Sequence, residues 1–235
     1  MTLVAAGATQ DAVTDEISVF EHQTGIQVDA TFGSAGALRD QILGGAAVDV
    51  AIVTPAVITA LQAQQLVLDG SRIDLGQIGG GLAVRAGTAL PAIGTQDELK
   101  QTLIGADEVY YADPTLATAG AALMKIVDTL GIGDQVRAKG HVAAGGKEAM
   151  QAMALSTASV VVGATQISEI LSVPQVTLVG QYPGALQIKT VYSTIIVGTS
   201  AHRADAQQLT QFFAGPDFQT RLGKSGFEPI PSARR

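Results

Sequence analysis

Residues 2–25 read TLVAAGATQDAVTDEISVFEHQTG. The apolar run TLVAA has the character of a strand, and GATQD, residues 7–11, is a turn of small residues. Over Asp11–Thr24 the residues Ala12, Ile17, Val19 and Phe20 mark one apolar side of a helix. A strand therefore hands over to a helix here. The N–H groups of a helix start have no acceptor within the helix and attract anions, so the turn is a candidate ligand-binding feature. Asp11 reads as a residue of the first helical turn that opposes the positive end of the dipole.

The same hand-over recurs along the chain. IQVDATF (26–32) alternates as a strand does, and SAGALRDQILGG (34–45) is a helix closing on Gly44-Gly45. VDVAIVT (48–54) is a buried strand, and a helix follows over Ala56–Gln65. GGGLAVRAG (79–87) is a glycine-flanked strand. After Pro91 come helix DELKQTLIG (97–105), strand VYYA (109–112) and helix AGAALMKIVDTLG (119–131), ended by Gly131. HVAA (141–144) is a short strand, KEAMQAMALS (147–156) a helix and ASVVVGA (158–164) a strand. ISEIL (167–171) is a short helix, VTLVGQYP (176–183) and KTVYSTIIVGT (189–199) are strands, and ADAQQLTQFFAG (204–215) is a helix. This βαβα order with a break near residue 82 predicts an α/β chain of two units.

Composition agrees and removes several function classes. The 235 residues are 47% hydrophobic and 15% charged, enough to bury a substantial core, and the apolar residues are mostly Ala, Val, Ile and Leu. Net charge is −7, and no cluster of basic residues precedes Ala233-Arg234-Arg235, which argues against nucleic-acid binding. With no cysteine there is no disulfide, thiolate metal site or Cys nucleophile. His22, His141 and His202 lack metal-ligand spacing, and no phosphate loop or hydrolase signature is present. No uninterrupted apolar window of about 18 residues predicts a membrane span. The expected location is periplasmic if Met1 replaces a removed signal peptide, and cytoplasmic otherwise.

Three segments together carry a resemblance. They are AAGATQDAV (5–13) with TFGSAGALRDQI (31–42) and GAAVDVAI (45–52), then YYADPTLATAGAALMKIVDTLGI (110–132), then VYSTIIVGTSAHRADAQQLTQFFAGPDFQTRLGKSGFEPI (191–230). They run in order over nearly the whole chain and resemble the periplasmic molybdate-binding proteins among the type II periplasmic solute-binding proteins. Arg85-Ala86-Gly87 and Gln166–Ile170 are similar to a branch that contains aconitate isomerase. The resemblance implies two α/β lobes, each a mixed sheet flanked by helices. Residues 1–82 plus 196–235 would form lobe one and 83–195 lobe two, with two crossover strands as hinge and a ligand cleft between the lobes. It also implies a monomer that binds a small anion, works with a membrane transporter and needs no metal or cofactor.

Carried over by position, the serine of the first turn in oxyanion binders becomes Ala8, a second serine becomes Ala35 beside Ser34, and a tyrosine becomes Gly163. The backbone N–H of Ala119 remains. A dehydrated dianion needs nearly every oxygen hydrogen-bonded, at roughly 1.5–3 kcal/mol per charged bond. Molybdate is thereby disfavoured, and an organic carboxylate fits the altered turns better. Candidate ligand-binding residues are Ala8, Thr9, Gln10, Ser34, Ala35, Arg85, Thr118, Ala119, Gly120, Gly146, Lys147, Gln166 and Tyr192, with Arg85 expected to clamp a carboxylate. Two functions stay open: a solute-binding protein for a di- or tricarboxylate, and an isomerase moving a proton on aconitate. Candidate bases for the second are Tyr110, Tyr111, Tyr192, His141, Lys147 and Glu169, and spacing marks none of them.

Overall fold

The structure is a computed structural model that describes residues 1–231, so the terminal Arg234 and Arg235 lie outside the described residues. The chain divides into two compact units, Met1–Gln77 with the chain from Thr190 on, and Ile78–Lys189. It passes from one unit to the other twice, within the strands Ile73–Arg85 and Lys189–Ile196.

In the first unit β1 (Thr2–Ala6) lies between β2 (Asp29–Gly33) and β3 (Val50–Val53), both parallel to it. On the far side of β3, β9 (Lys189–Ile196) runs antiparallel, with Val53 opposite Ser193, and β4 (Ile73–Arg85) follows. The helices are α1 (Gln10–Thr24), α2 (Ala35–Leu43), α3 (Pro55–Gln62), α9 (Arg203–Phe213) and α10 (Pro216–Lys224). Leu38 and Ile42 of α2 join Val57, Ile58 and Leu61 of α3 in a core with Val4, Ala51, Val53 and Ile195. Helix α1 packs against α9 and α10. Phe20 meets Phe212 edge-on with ring centres 5.3 Å apart, and Phe213 lies 4.8 Å from Phe218. The buried Glu16 carboxylate accepts from Arg221 Nε at 2.6 Å, which keeps its charge paired.

This unit differs from the sequence pattern in detail, with α3 ending at Gln62 rather than Gln65 and β9 at Ile196 rather than Thr199. Strand β2 starts at Asp29 rather than Ile26, because the Val28 N–H donates to the Glu21 carboxylate at 2.8 Å instead of to a ladder. Helix α10 is an addition, opened by Pro216 in its first turn, where the missing N–H is no loss.

In the second unit β5 (Glu108–Ala112) is parallel to β6 (Gly140–Ala143) and β7 (Val161–Gln166). The later part of β4 is antiparallel to β7 on one side and to β8 (Val176–Gln181) on the other. The helices are α4 (Gln96–Gly105), α5 (Thr118–Thr129), α6 (Gly133–Ala138), α7 (Gly146–Ala154) and α8 (Ile167–Leu171). Strand alternation sorts the two faces. Leu82, Val84, Val109, Tyr111, Val162 and Ala164 pack with α4, α5 and α6, whereas Ala83, Tyr110 and Val161 pack with Met150, Met153 and Ile170. Each unit is thus a mixed sheet flanked by helices, as expected. The three leading glycines of GGGLAVRAG are strand interior rather than flank, since Gly80 and Gly81 pair with Gln166 and Thr165. Strand β7 begins at Val161, later than ASVVVGA suggests, so Thr165 and Gln166 belong to it.

Asp49 ties the start of the first sheet. It accepts from the Thr2 N–H at 2.8 Å and from the Ser200 hydroxyl at 2.6 Å. Burial pushes its carboxyl up, but the Ser200 and Thr2 hydrogen bonds and the nearby His202 outweigh that and hold it below the usual carboxylate range. Its contribution is present above the ordinary value of about 3.9 and is lost as the pH falls through the folded-state value. Asp49→Asn is expected to lower stability at pH 7 and to flatten the decline in acid, as read from urea unfolding midpoints across pH.

Candidate functional site

In an open α/β sheet the strand-to-helix turns collect at the carboxyl ends of the parallel strands, where ligands bind. In the first unit β1 ends at Ala6, passes through a 3-10 turn at Gly7–Thr9 and enters α1 at Gln10. Strand β2 ends at Gly33 directly opposite Ala6, and Ser34 is the N-cap of α2. Ala8, Thr9, Gln10, Ser34 and Ala35 therefore share one edge. The Thr9 hydroxyl donates to the Ala6 carbonyl at 2.8 Å, so it serves the turn itself. Ser34 makes no side-chain cap bond to its helix, and Leu38 is the first residue whose N–H reaches back to the Ser34 carbonyl. The N–H groups of Ala35, Gly36 and Ala37 thus lack an acceptor within α2. Tyr192 adjoins this edge, one residue beyond the Val53–Ser193 pair, with its ring 5.8 Å from Phe227.

In the second unit the corresponding edge is formed by the ends of β5, β6 and β7. Ala112 pairs with Ala143, and α5, α7 and α8 start just beyond. Thr118, Ala119 and Gly120 form the first turn of α5, whose first back-bonded N–H is that of Ala121. Gly120 is packed against the Ala112 carbonyl with no room for a Cβ. Gly146 and Lys147 open α7 after the N-cap Gly145, and Gln166 is the N-cap of α8.

The α7 start already holds a carboxyl from this chain. Glu169, 8% exposed, accepts from the Thr165 hydroxyl and from the backbone N–H groups of Gly146 and Gln166. A Cβ at Gly146 would collide with Thr165 Oγ1 and Glu169 Oε2, so the approach requires glycine. Burial pushes the Glu169 carboxyl up, and Glu148 adds to the rise; the three hydrogen bonds only partly offset it. Sequence reading had Glu169 among the bases but not among the binding residues. Its signal was Thr165 and Glu169 four residues apart across a strand-to-helix turn.

Several candidates are not brought to these edges. Arg85 is a correction: its guanidinium donates to the carbonyls of Ser156 and Ala158, the latter at 2.9 Å, so it anchors a loop rather than facing an open edge. Strand β4 runs against β7, with Gly80 opposite Gln166, so Arg85 lies at the other end of the sheet. Tyr110 lies in that region too, donating to Glu108 at 2.7 Å and stacked on His141 with ring centres 4.6 Å apart. Glu108 also accepts from the Ser156 hydroxyl at 2.6 Å. Tyr111 is buried in the core with its hydroxyl against Gly140, the residue that starts β6. Gly163 is not beyond its strand but inside β7, where Met150 and Met153 fill the space that a tyrosine ring would need. Among the described residues no three His, Asp or Glu side chains gather as ligands for a metal ion.

The folded protein keeps a proton on Glu169 at a pH where the unfolded chain has released it. Stability is therefore expected to fall as the pH rises above about 4.3, and Glu169→Gln to remove that slope in pH-dependent urea unfolding. Gly146→Ala, which displaces the carboxyl from its donors, is expected to cost about 1–3 kcal/mol in the same measurement.

Comparison with known proteins shows the family and the fold. Over residues 1–228 the chain matches the family model described as bacterial extracellular solute-binding protein. It is 29% identical over 238 residues to an aconitate isomerase of Pseudomonas sp., covering 99% of this chain and 88% of the relative. Its fold is similar to the periplasmic molybdate-binding protein of Azotobacter vinelandii, with a TM-score of 0.81 at 22% identity, covering 99% and 100% of the two chains. The sulfate-binding protein of Mycobacterium tuberculosis H37Rv superposes with a TM-score of 0.77 at 18% identity, covering 98% and 87%. These two likenesses are of fold. Among the described residues no helix is long and apolar enough to cross a membrane. The chain belongs to the bacterial extracellular solute-binding protein family.

Proposed function

We propose that this solute-binding protein takes a small organic anion, a di- or tricarboxylate, on helix starts at the carboxyl ends of its parallel strands and delivers it to a membrane transporter. The observation that carries the reading is the apolar residues at these helix starts, which stand beside the Ser34 and Thr118 hydroxyls and leave much of the donation to backbone N–H groups. Ala8, Ala35 and Ala119 are apolar, and the Thr9 hydroxyl is engaged with Ala6. Backbone N–H groups remain, at Ala35–Ala37 and Thr118–Gly120. A compact dianion stripped of water needs donors on all sides. A carboxylate presents two oxygens in one direction and suits one helix start, and an apolar carbon stem suits the alanines.

A second reading is favoured by the aconitate isomerase relative. Interconverting cis- and trans-aconitate takes a proton from the methylene carbon and returns one to the far carbon of the double bond. That needs a group able to exchange a proton, and Glu169 is a buried carboxyl whose hold on its proton is strengthened by burial.

Unfolding midpoints with sulfate, phosphate, molybdate, citrate, cis-aconitate and trans-aconitate test the ligand class. A ligand at about 100 times its Kd stabilises by roughly 2.7 kcal/mol, enough to read as a shift. Shifts with the tricarboxylates are expected, and a shift with molybdate alone overturns the reading. Proton NMR in D2O then separates binding from turnover. Enzyme-dependent loss of the aconitate methylene signal supports the isomerase, and no exchange in a bound tricarboxylate leaves the binding protein.

A further inference from the structure

Two of the helices that start at the second unit's edge are long, α5 and α7, and they differ in one respect. At α5 the N–H groups of Thr118, Ala119 and Gly120 have no acceptor within the helix. At α7 the Ala149 N–H is the first to reach back, to Gly145, and the Gly146 N–H before it goes to Glu169. The Thr165 hydroxyl, which faces the same spot from β7, also goes to Glu169. The donor set that suits an oxyanion is therefore present at α7 and filled by a side chain of the same protein. That side chain is covalently tethered, buried and closely packed against Gly146, so an incoming ion cannot displace it as it would displace water. Glu148, in the first turn of α7, adds a second acidic group beside it.

We infer that Glu169 is a specificity-determining residue of the second unit's edge: by seating its carboxyl on the α7 start it rejects inorganic dianions such as sulfate and molybdate, and leaves the α5 start to a carboxylate of an organic ligand. The assignment rests on reading this edge as part of the ligand site. Glu169 acts by occupancy: it takes up donors that a tetrahedral dianion needs.

The test is calorimetric titration of sodium sulfate and sodium molybdate into wild type and Glu169→Ala at constant ionic strength. Wild type is expected to bind neither in the millimolar range, and Glu169→Ala to gain affinity for one or both by at least about tenfold, or 1.4 kcal/mol. A cooperatively unfolding Glu169→Ala with no gain overturns the assignment, as does wild type binding either ion as tightly as the variant. Should the variant not fold, wild type labelled with 15N at glycine gives the answer. The Gly146 amide signal is expected to stay unmoved by sulfate and molybdate, and a saturable shift overturns the assignment. Failure here is distinct from failure of the proposed ligand class. If no carboxylate shifts the wild-type unfolding midpoint but the variant gains sulfate, only the ligand class falls. If carboxylates bind and the variant gains nothing, only the role of Glu169 falls.

Discussion

The first N–H groups of an α-helix have no acceptor inside it, and the architecture of this protein gathers such groups at one edge of each sheet. The parallel runs β2–β1–β3 and β6–β5–β7 impose this, because each strand must be followed by a crossover helix that begins at the strand's carboxyl end. Everything distinctive about the chain is a local answer to the same demand for acceptors. Thr9 braces the first turn from inside, Ser34 leaves α2 without a side-chain cap, and Glu169 supplies α7 with an acceptor from the next helix along.

The opposite end of the second unit shows how polar groups behave where no such demand exists. Arg85, Ser156, Glu108, Tyr110 and His141 satisfy one another and the loop carbonyls of Ser156 and Ala158. Their chemistry is used to fasten the loop leading into β7 to the neighbouring strands. A guanidinium that looks like a ligand clamp in the sequence is here a staple for backbone carbonyls, which would otherwise need water.

Periodicity sufficed for most of the architecture. Strands such as VYYA and helices such as AGAALMKIVDTLG differ plainly in period, and Gly131 ends its helix with a positive φ of 68° that suits glycine. The turns at Ala8, Ser34, Thr118 and Gly146 were legible for the same reason, as small residues between an apolar run and an amphipathic one. What escaped was direction. Alternation puts Gly163 on the same face as Val161 but does not say which face that is, and only the packing of Met150 and Met153 fixes it. Partner choice escaped as well. Nothing local to Arg85 names Ser156 and Ala158, and nothing local to ISEIL seats its glutamate on the start of α7.

The double passage of the chain has a consequence for its synthesis. The second unit is one uninterrupted stretch, Ile78–Lys189, whereas the first is completed only by β9, α9 and α10. A ribosome therefore delivers all of the inserted unit before β3 can meet β9. Until then α1 waits without Phe212 and the arginine that pairs with Glu16. The early-made part of the molecule is thus the late-folding part, and its apolar helix faces are what a nascent-chain chaperone would have to cover.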